Sequence, residues 1–218
     1  MICLVTDRRR LSTAADSIDE LVDFVEAAAS AGIDLIQIRE RDLDARRLAA
    51  LVRRCVEVAE GTSAKVLVND RADIAVAAGA HGVHLRGDSI GAAAVRPLIG
   101  DSAVVGRSVH GAEEARVVSN AGGADYLIFG TLYASASKSA GHPVATLEEL
   151  SVACEVGLPV LAIGGMTIER AAASARAGAS GVAGIGLFVP PAGISAARHL
   201  QTVTAGLRRV FDTCGAVS

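Results

Sequence analysis

A chain of 218 residues is long enough for one sizeable core and short for two, so a single domain over residues 1–218 is expected. It is 51% apolar, only 3% aromatic and lacks tryptophan, which excludes disordered and fibrous chains and suits close packing by small residues. A net charge of −3 supplies no field that would favour nucleic acid or an anionic membrane.

Short runs rich in Val, Ile and Leu, each ending in polar, charged or glycine residues, lie at 2–7, 35–41, 66–70, 82–88, 103–110, 126–131, 160–165 and 181–186. Each is too short for a helix and reads as a strand buried on both faces. Between them, Ser17-Ile18-Asp19-Glu20 has capping-box spacing and opens a helix with Leu21, Val22, Val25 and Ala28 on one side. Thr146-Leu147-Glu148-Glu149 repeats that signature. A 3.6-residue period predicts further helices at about 44–60, 111–121 and 168–177 and a last one at about 194–211, ahead of a frayed tail at about 212–218. Gly32, Gly79, Gly123 and Gly178 sit shortly before strands, as helix-terminating glycines do. Gly-Ala-x-Gly-Val recurs at 79–83 and 178–182, an echo of repeated units.

Eight strands alternating with helices predict an α/β fold, a single (β/α)8 TIM barrel with its active site at the C-terminal ends of the parallel strands. A doubly wound open sheet is the alternative, but the first turn lacks GxGxxG. The small, polar segment 134–143 reads as a mobile loop over the barrel mouth. Cys3, Cys55, Cys154 and Cys214 form no CxxC pair, which argues against a disulfide framework or a zinc site and for a reduced, cytoplasmic compartment. No apolar stretch approaches the ~20 residues of a membrane span. Asp7-Arg8-Arg9-Arg10 follows too soon on the first apolar run for a signal peptide.

Polar residues gather at the strand ends. Asp70 alone reads as a loop cap and Asp88 alone as a turn residue. As a pair at the tips of neighbouring strands, about 4.8 Å apart, they can share a cation such as Mg²⁺. Gln37, Arg39 and Arg41 alternate and share one side of an extended segment, where a guanidinium at the mouth can grip phosphate oxygens. The other reading of Arg41 is a solvated arginine paired with Glu40 or Asp42. Arg107 and Lys138 add cations to this set. Gly164-Gly165 and Gly184-Ile185-Gly186, at the ends of the seventh and eighth runs, suit a phosphate cup of backbone N–H groups. His84 reads as a packed or hydrogen-bonded core residue, and His81, His142 and His199 as loop or surface residues. His110 is either a proton carrier or a helix-entry residue.

Several phrases carry a family resemblance across nearly the whole chain: Leu4-Val5-Thr6-Asp7, Ile36-Gln37-Ile38-Arg39-Glu40-Arg41, Val68-Asn69-Asp70-Arg71 and Gly82-Val83-His84-Leu85. They continue with Gly106-Arg107-Ser108-Val109-His110, Ala124-Asp125-Tyr126, Phe129-Gly130 and Ala162-Ile163-Gly164-Gly165-Met166. The chain resembles the thiamine phosphate synthase and thiazole tautomerase superfamily. A synthase of that kind joins hydroxymethylpyrimidine pyrophosphate to thiazole phosphate and releases pyrophosphate. The resemblance implies that Gln37, Arg39, Arg41, Asn69, Ser108 and Lys138 hold the pyrophosphate, with Arg39, Ser108 and Lys138 central to catalysis. It implies Mg²⁺ on Asp70 and Asp88, thiazole phosphate on Ser135, Ser137, Gly165, Ala183, Gly184 and Ile185, and a homodimer. Arg41 stands where synthases carry Lys, Arg86-Gly87 where they carry Gly-Gln, Ala134 where they carry Pro, and Gly184 where they carry Ser. Gly-Arg-Ser-Val-His and Ile-Gly-Gly-Met-Thr lean towards the metal-free tautomerase, in which His110 would move the proton. A non-catalytic thiamine-pathway ligand binder or regulator is the third reading.

Overall fold

In the computed structural model, which describes residues 1–11, 17–134 and 144–214, eight parallel strands close into a barrel in sequence order. They are β1 (Ile2–Val5), β2 (Leu35–Ile38), β3 (Lys65–Asn69), β4 (Gly82–Leu85), β5 (Val104–Val109), β6 (Tyr126–Phe129), β7 (Val160–Ala162) and β8 (Gly181–Gly184). Every predicted run coincides with one strand, β3 starting one residue early at Lys65, but most strands stop short of the polar residues that end the run. Those residues form the loops at the mouth.

Among the described residues, eight α-helices surround the strands: α1 (Ile18–Ser30), α2 (Ala45–Ala59), α3 (Ala72–Ala78), α4 (Ala92–Ile99), α5 (Ala112–Ala121), α6 (Leu147–Ala153), α7 (Ile168–Arg176) and α8 (Ala196–Cys214). The capping box at Thr146 forms in full, with the Thr146 hydroxyl accepting from Glu149 N–H and the Glu149 carboxylate accepting from Thr146 N–H. The one expected at Ser17 does not form, because the Ser17 side chain makes no cap bond. Gly79 ends α3 in the left-handed conformation, whereas α5 ends at Gly122 rather than Gly123. Gly123 instead packs closely against the start of α4.

Side-chain parity splits the core in two. Ile2, Leu4, Ile36, Ile38, Val66 and Val68 point outward into the apolar layer under the helices. Cys3, Val5, Leu35, Leu67, Tyr126, Ile128, Leu161 and Ala183 form a separate cluster filling the barrel axis. The same parity carries past the last apolar residue of each strand. Residues in phase with Leu35 and Leu67 therefore emerge at the mouth, and these are Gln37 and Asn69.

Candidate active site

A cavity of about 1230 Å³ opens at the mouth, lined by residues from the C-terminal ends of all eight strands. Its chemistry begins at β2. Gln37 is buried, and its Nε2 donates to Asn69 Oδ1 at 2.9 Å, which joins the tips of β2 and β3. Arg39 N–H donates to the buried Thr6 hydroxyl at 2.9 Å, and that hydroxyl donates to Glu40 Oε1 at 2.7 Å. Arg8, from the 3-10 turn Arg8–Arg10 after β1, then takes both acids of the loop. Its guanidinium reaches Glu40 Oε2 at 2.9 Å and Asp42 Oδ1 and Oδ2 at 2.7 and 2.5 Å. Asp42 is held well below the usual carboxylate range, chiefly by its hydrogen bonds from Arg8.

Of the two readings of Arg41, the pairing with Glu40 or Asp42 does not form: Glu40 is held by Arg8 and Asp42 by Arg8 and Arg9, while Arg39 and the exposed Arg41 line the cavity. Burial first, then the neighbouring Arg41 charge, pulls the Arg39 pKa below the arginine norm, and Arg86 adds to the effect. An anion bound between these cations would relieve that repulsion.

At the tips of β4 and β5, the buried His84 links two partners. Its Nδ1 lies 3.0 Å from the Tyr126 hydroxyl and its Nε2 2.9 Å from Ser108 Oγ. Burial raises the Tyr126 pKa, so the phenol keeps its proton. Its hydroxyl has no other partner among the described residues, so it donates to Nδ1. That choice puts the imidazole proton on Nε2, which donates to Ser108. Ser108 is left with a proton to offer a ligand in the cavity. Gly106 makes the arrangement possible, since a Cβ there would overlap both Tyr126 and His84.

Burial, aided by the Arg107 charge, pushes the His84 pKa down from 6.5 to about 3. The unfolded chain therefore binds more protons between those values, and stability falls as pH drops through that window. The expected result is a urea midpoint that declines on acidification, with a shallower decline in His84→Gln. Equal slopes for the two proteins would mean that other groups carry the effect.

Arg107 does not enter the mouth as the sequence reading expected. It lies one residue out of phase with Ser108, on the outward side of β5 shared with Val105 and Val109. There its guanidinium donates to the carbonyls of Ser89 (3.0 Å), Ile90 (2.7 Å) and Gly87 (2.8 Å). It thus braces the β4–α4 loop that carries Asp88. His110 Nδ1 must carry a proton, because it donates to the Gly130 carbonyl at 2.6 Å, and Glu114 accepts from His110 N–H at 2.7 Å.

On the far side, Gly164 (φ 108°) and Gly165 (φ 55°) lie in the left-handed region and line the cavity with Gly184, Ile185 and Gly186. A Cβ at Gly165 would come within 2.6 Å of the Ala134 carbonyl oxygen, so only backbone can occupy that position. Residues 2–188 match the model of the family described as thiamine monophosphate synthase. The chain belongs to that family.

A thiamine-phosphate synthase of Roseiflexus castenholzii is 37% identical over 207 residues, 94% of this chain and 88% of its own. That of Azorhizobium caulinodans is 35% identical over 208 residues, 94% of this chain and 95% of its own. The thiamine phosphate pyrophosphorylase of Pyrococcus furiosus superposes with a TM-score of 0.78 at 26% identity, covering 98% of this chain and 96% of that one. A 3-hexulose-6-phosphate synthase (TM-score 0.71, 18% identity) shares the fold alone.

Of the residues expected from the resemblance to thiamine phosphate synthases, Gln37, Arg39, Arg41, Asn69, Asp88, Ser108, His110, Gly165, Gly184 and Ile185 line the one cavity. Ala183 is buried on the barrel axis beneath it. Ser135, Ser137, Lys138 and His142 lie outside the described residues, as does most of the expected loop. Arg10 was not foreseen. It lines the cavity, and its Nη1 would be 3.3 Å from a Cβ on Gly186, which sets a cation against the glycine side. The arginine run gave a cue, but nothing in it showed that Arg8 and Arg10 would part company.

A family metal would sit on Asp70 and Asp88. Asp70 adopts φ 64°, which turns it out of the β3 line, and its Oδ1 accepts from the Ser89 hydroxyl. The Arg86 guanidinium bridges the two carboxylates, with Nη1 3.5 Å from Asp70 Oδ2 and Nη2 paired with Asp88 Oδ2. One guanidinium therefore reaches both acids, and the pair fits a divalent ion by donor type. Among the described residues no group of three or more His, Cys, Asp or Glu could hold a metal. Two carboxylates and few other protein donors suit Mg²⁺, which keeps waters and substrate phosphate oxygens as ligands. No helix among the described residues is long and apolar enough to cross a membrane.

Proposed function

We propose that the protein condenses hydroxymethylpyrimidine pyrophosphate with thiazole phosphate to give thiamine phosphate and pyrophosphate. The observation that carries this reading is the convergence at one mouth of Arg39, Arg41, the Gln37–Asn69 pair and the Ser108 hydroxyl beside a carboxylate pair, opposite a glycine-lined wall. The pyrimidine methylene C–O bond breaks and the electron pair leaves with the pyrophosphate. The thiazole nitrogen lone pair then forms the new C–N bond. No proton has to move and no protein nucleophile is needed.

The leaving group gains charge as the bond breaks. Donors fixed in advance around it therefore favour the transition state over the ground state. Arg39 and Arg41 supply charge, Ser108 donates a hydrogen bond oriented through His84 and Tyr126, and Gln37 and Asn69 fix each other's amides. Lys138, Ser135 and Ser137 complete the set in this proposal. Mg²⁺ held by Asp70 and Asp88 would neutralise pyrophosphate oxygens. The glycines at 165 and 184 and the backbone of Ala183 and Ile185 would receive the thiazole phosphate.

One observation favours a second reading. The bond from His110 Nδ1 to Gly130 leaves its Nε2 free to take a proton, as a metal-free thiazole tautomerase requires. The decisive assay supplies both phosphorylated halves with and without Mg²⁺. Thiamine phosphate forming only with Mg²⁺ is the expected result. No product at any Mg²⁺ level, with tautomerisation persisting in EDTA, would overturn the synthase reading in favour of the second. The proposal includes a single domain, a cytoplasmic location and a homodimer, the last tested by light scattering.

A further inference from the structure

In the β4–α4 loop, residues 86–88 read Arg-Gly-Asp. The Arg86 guanidinium spans Asp70 at the end of β3 and Asp88 in its own loop. The loop is stiff around it. Arg86 N–H donates to Ser89 Oγ at 3.0 Å, Ser89 N–H returns to the Arg86 carbonyl at 3.1 Å, and Arg107 clamps the Gly87, Ser89 and Ile90 carbonyls from behind. The Arg86 side chain itself is 47% exposed and lines the cavity, so it can leave the carboxylates without moving the loop.

We propose that Arg86 is a tethered counter-cation occupying the Asp70–Asp88 pair, and that a divalent cation must displace it to bind there. Both cations need the same carboxylate oxygens and carry like charge, so they cannot occupy the pair together. Arg86 thus raises the Mg²⁺ concentration at which the site fills. Once displaced, its guanidinium turns into the cavity beside Arg39, where a bound pyrophosphate would accept it. The proposal rests on the assignment of Asp70 and Asp88 as metal ligands made above.

The test is calorimetric titration of the ligand-free protein with Mg²⁺ alone, which requires no turnover. Breaking two exposed ion pairs predicts that Arg86→Ala binds Mg²⁺ about tenfold more tightly than the unaltered protein. Arg86→Lys should fall between, since an ammonium keeps the charge but cannot fork across two carboxylates. A lysine variant indistinguishable from arginine would overturn the bridging role. Unchanged or weaker binding in Arg86→Ala would overturn the proposal as a whole.

Asp88→Asn separates the two claims. If it abolishes Mg²⁺ binding while Arg86→Ala changes nothing, the metal site stands and the counter-cation role falls. If Asp88→Asn leaves Mg²⁺ binding intact, the metal assignment fails and takes this proposal with it.

Discussion

Replacing Arg8 by alanine should destabilise the barrel by about 3 kcal/mol, with a fall in melting temperature of roughly 6–12 °C for a chain of this size. Arg8 and Glu40 are both buried, with side chains 7% and 2% exposed, and they meet at 2.9 Å. Truncating the arginine leaves a buried carboxylate without its counter-charge. The loss lies at the lower end for a broken buried pair because Glu40 keeps two donors, the Thr6 hydroxyl at 2.7 Å and Arg8 N–H at 3.2 Å. Solvent-exposed pairs such as Arg116–Glu113 give the comparison, since their removal should leave the melting temperature nearly unchanged.

Two further variants identify the cause. Arg8→Lys keeps the charge but cannot fork between Glu40 and Asp42, so it should recover only part of the loss. Arg8→Met combined with Glu40→Leu removes both charges and should be more stable than Arg8→Ala alone. A double variant as unstable as the single one would show that packing, not the stranded carboxylate, sets the penalty. Urea unfolding checks all three. The pair also matters to the site, because Glu40 anchors the Thr6 hydroxyl that holds Arg39 N–H. A weakened anchor should raise KM for the pyrophosphate substrate before it lowers kcat.

The barrel was legible in the sequence because both faces of each parallel strand must be apolar, which leaves short, unmistakable runs. Gln37 was legible through its alternation with Arg39 and Arg41, whereas Asn69 was expected only from the family resemblance; both lie in phase with inward-facing Leu35 and Leu67. Nearness to a strand end points Arg107 into the mouth, but strand parity turns it outward. One residue separates it from Ser108, and one residue reverses the face. The helices α3 and α4 escaped notice because seven or eight alanine-rich residues carry little periodic signal. At Ser17 the spacing was right but the hydroxyl goes unused, since a capping signature specifies the residue types and not the backbone angle that aims them. The role of Arg8 could not have been read locally, because its partners are 32 and 34 residues away and only closure of β1 on β2 brings them together. The bridge made by Arg86 was closer to view, since Asp88 is two residues on and Asp70 sits at the adjacent strand tip.

Asp70→Asn should lower kcat by about 10²–10³, as expected when one charge-stabilising contact of about 3–4 kcal/mol is lost. It should also raise the Mg²⁺ level needed for half-maximal rate. Asparagine is the informative replacement because of the backbone. Asp70 sits at φ 64°, a left-handed position that Asp and Asn tolerate because their short polar side chains bond locally, whereas alanine adopts it only with strain of about 1–2 kcal/mol. Its N–H donates to the His84 carbonyl at 2.9 Å, and asparagine leaves that bond in place. Asp70→Ala would therefore mix lost charge with backbone strain, whereas Asp70→Asn removes the charge and should leave the unfolding midpoint within about 0.5 kcal/mol of the parent. Steady-state kinetics across a Mg²⁺ series, with a parallel urea titration, separate these effects. A variant that kept the parental kcat at every Mg²⁺ concentration would remove Asp70 from the metal site. A variant that lost activity and stability together would point to the strand tip and not to the carboxylate. With Asp70 neutral, Arg86 retains only Asp88 as an acidic partner. Adding Arg86→Ala to Asp70→Asn should therefore recover part of the lost Mg²⁺ affinity, and by less than it gains in the parent, where the guanidinium blocks two carboxylates.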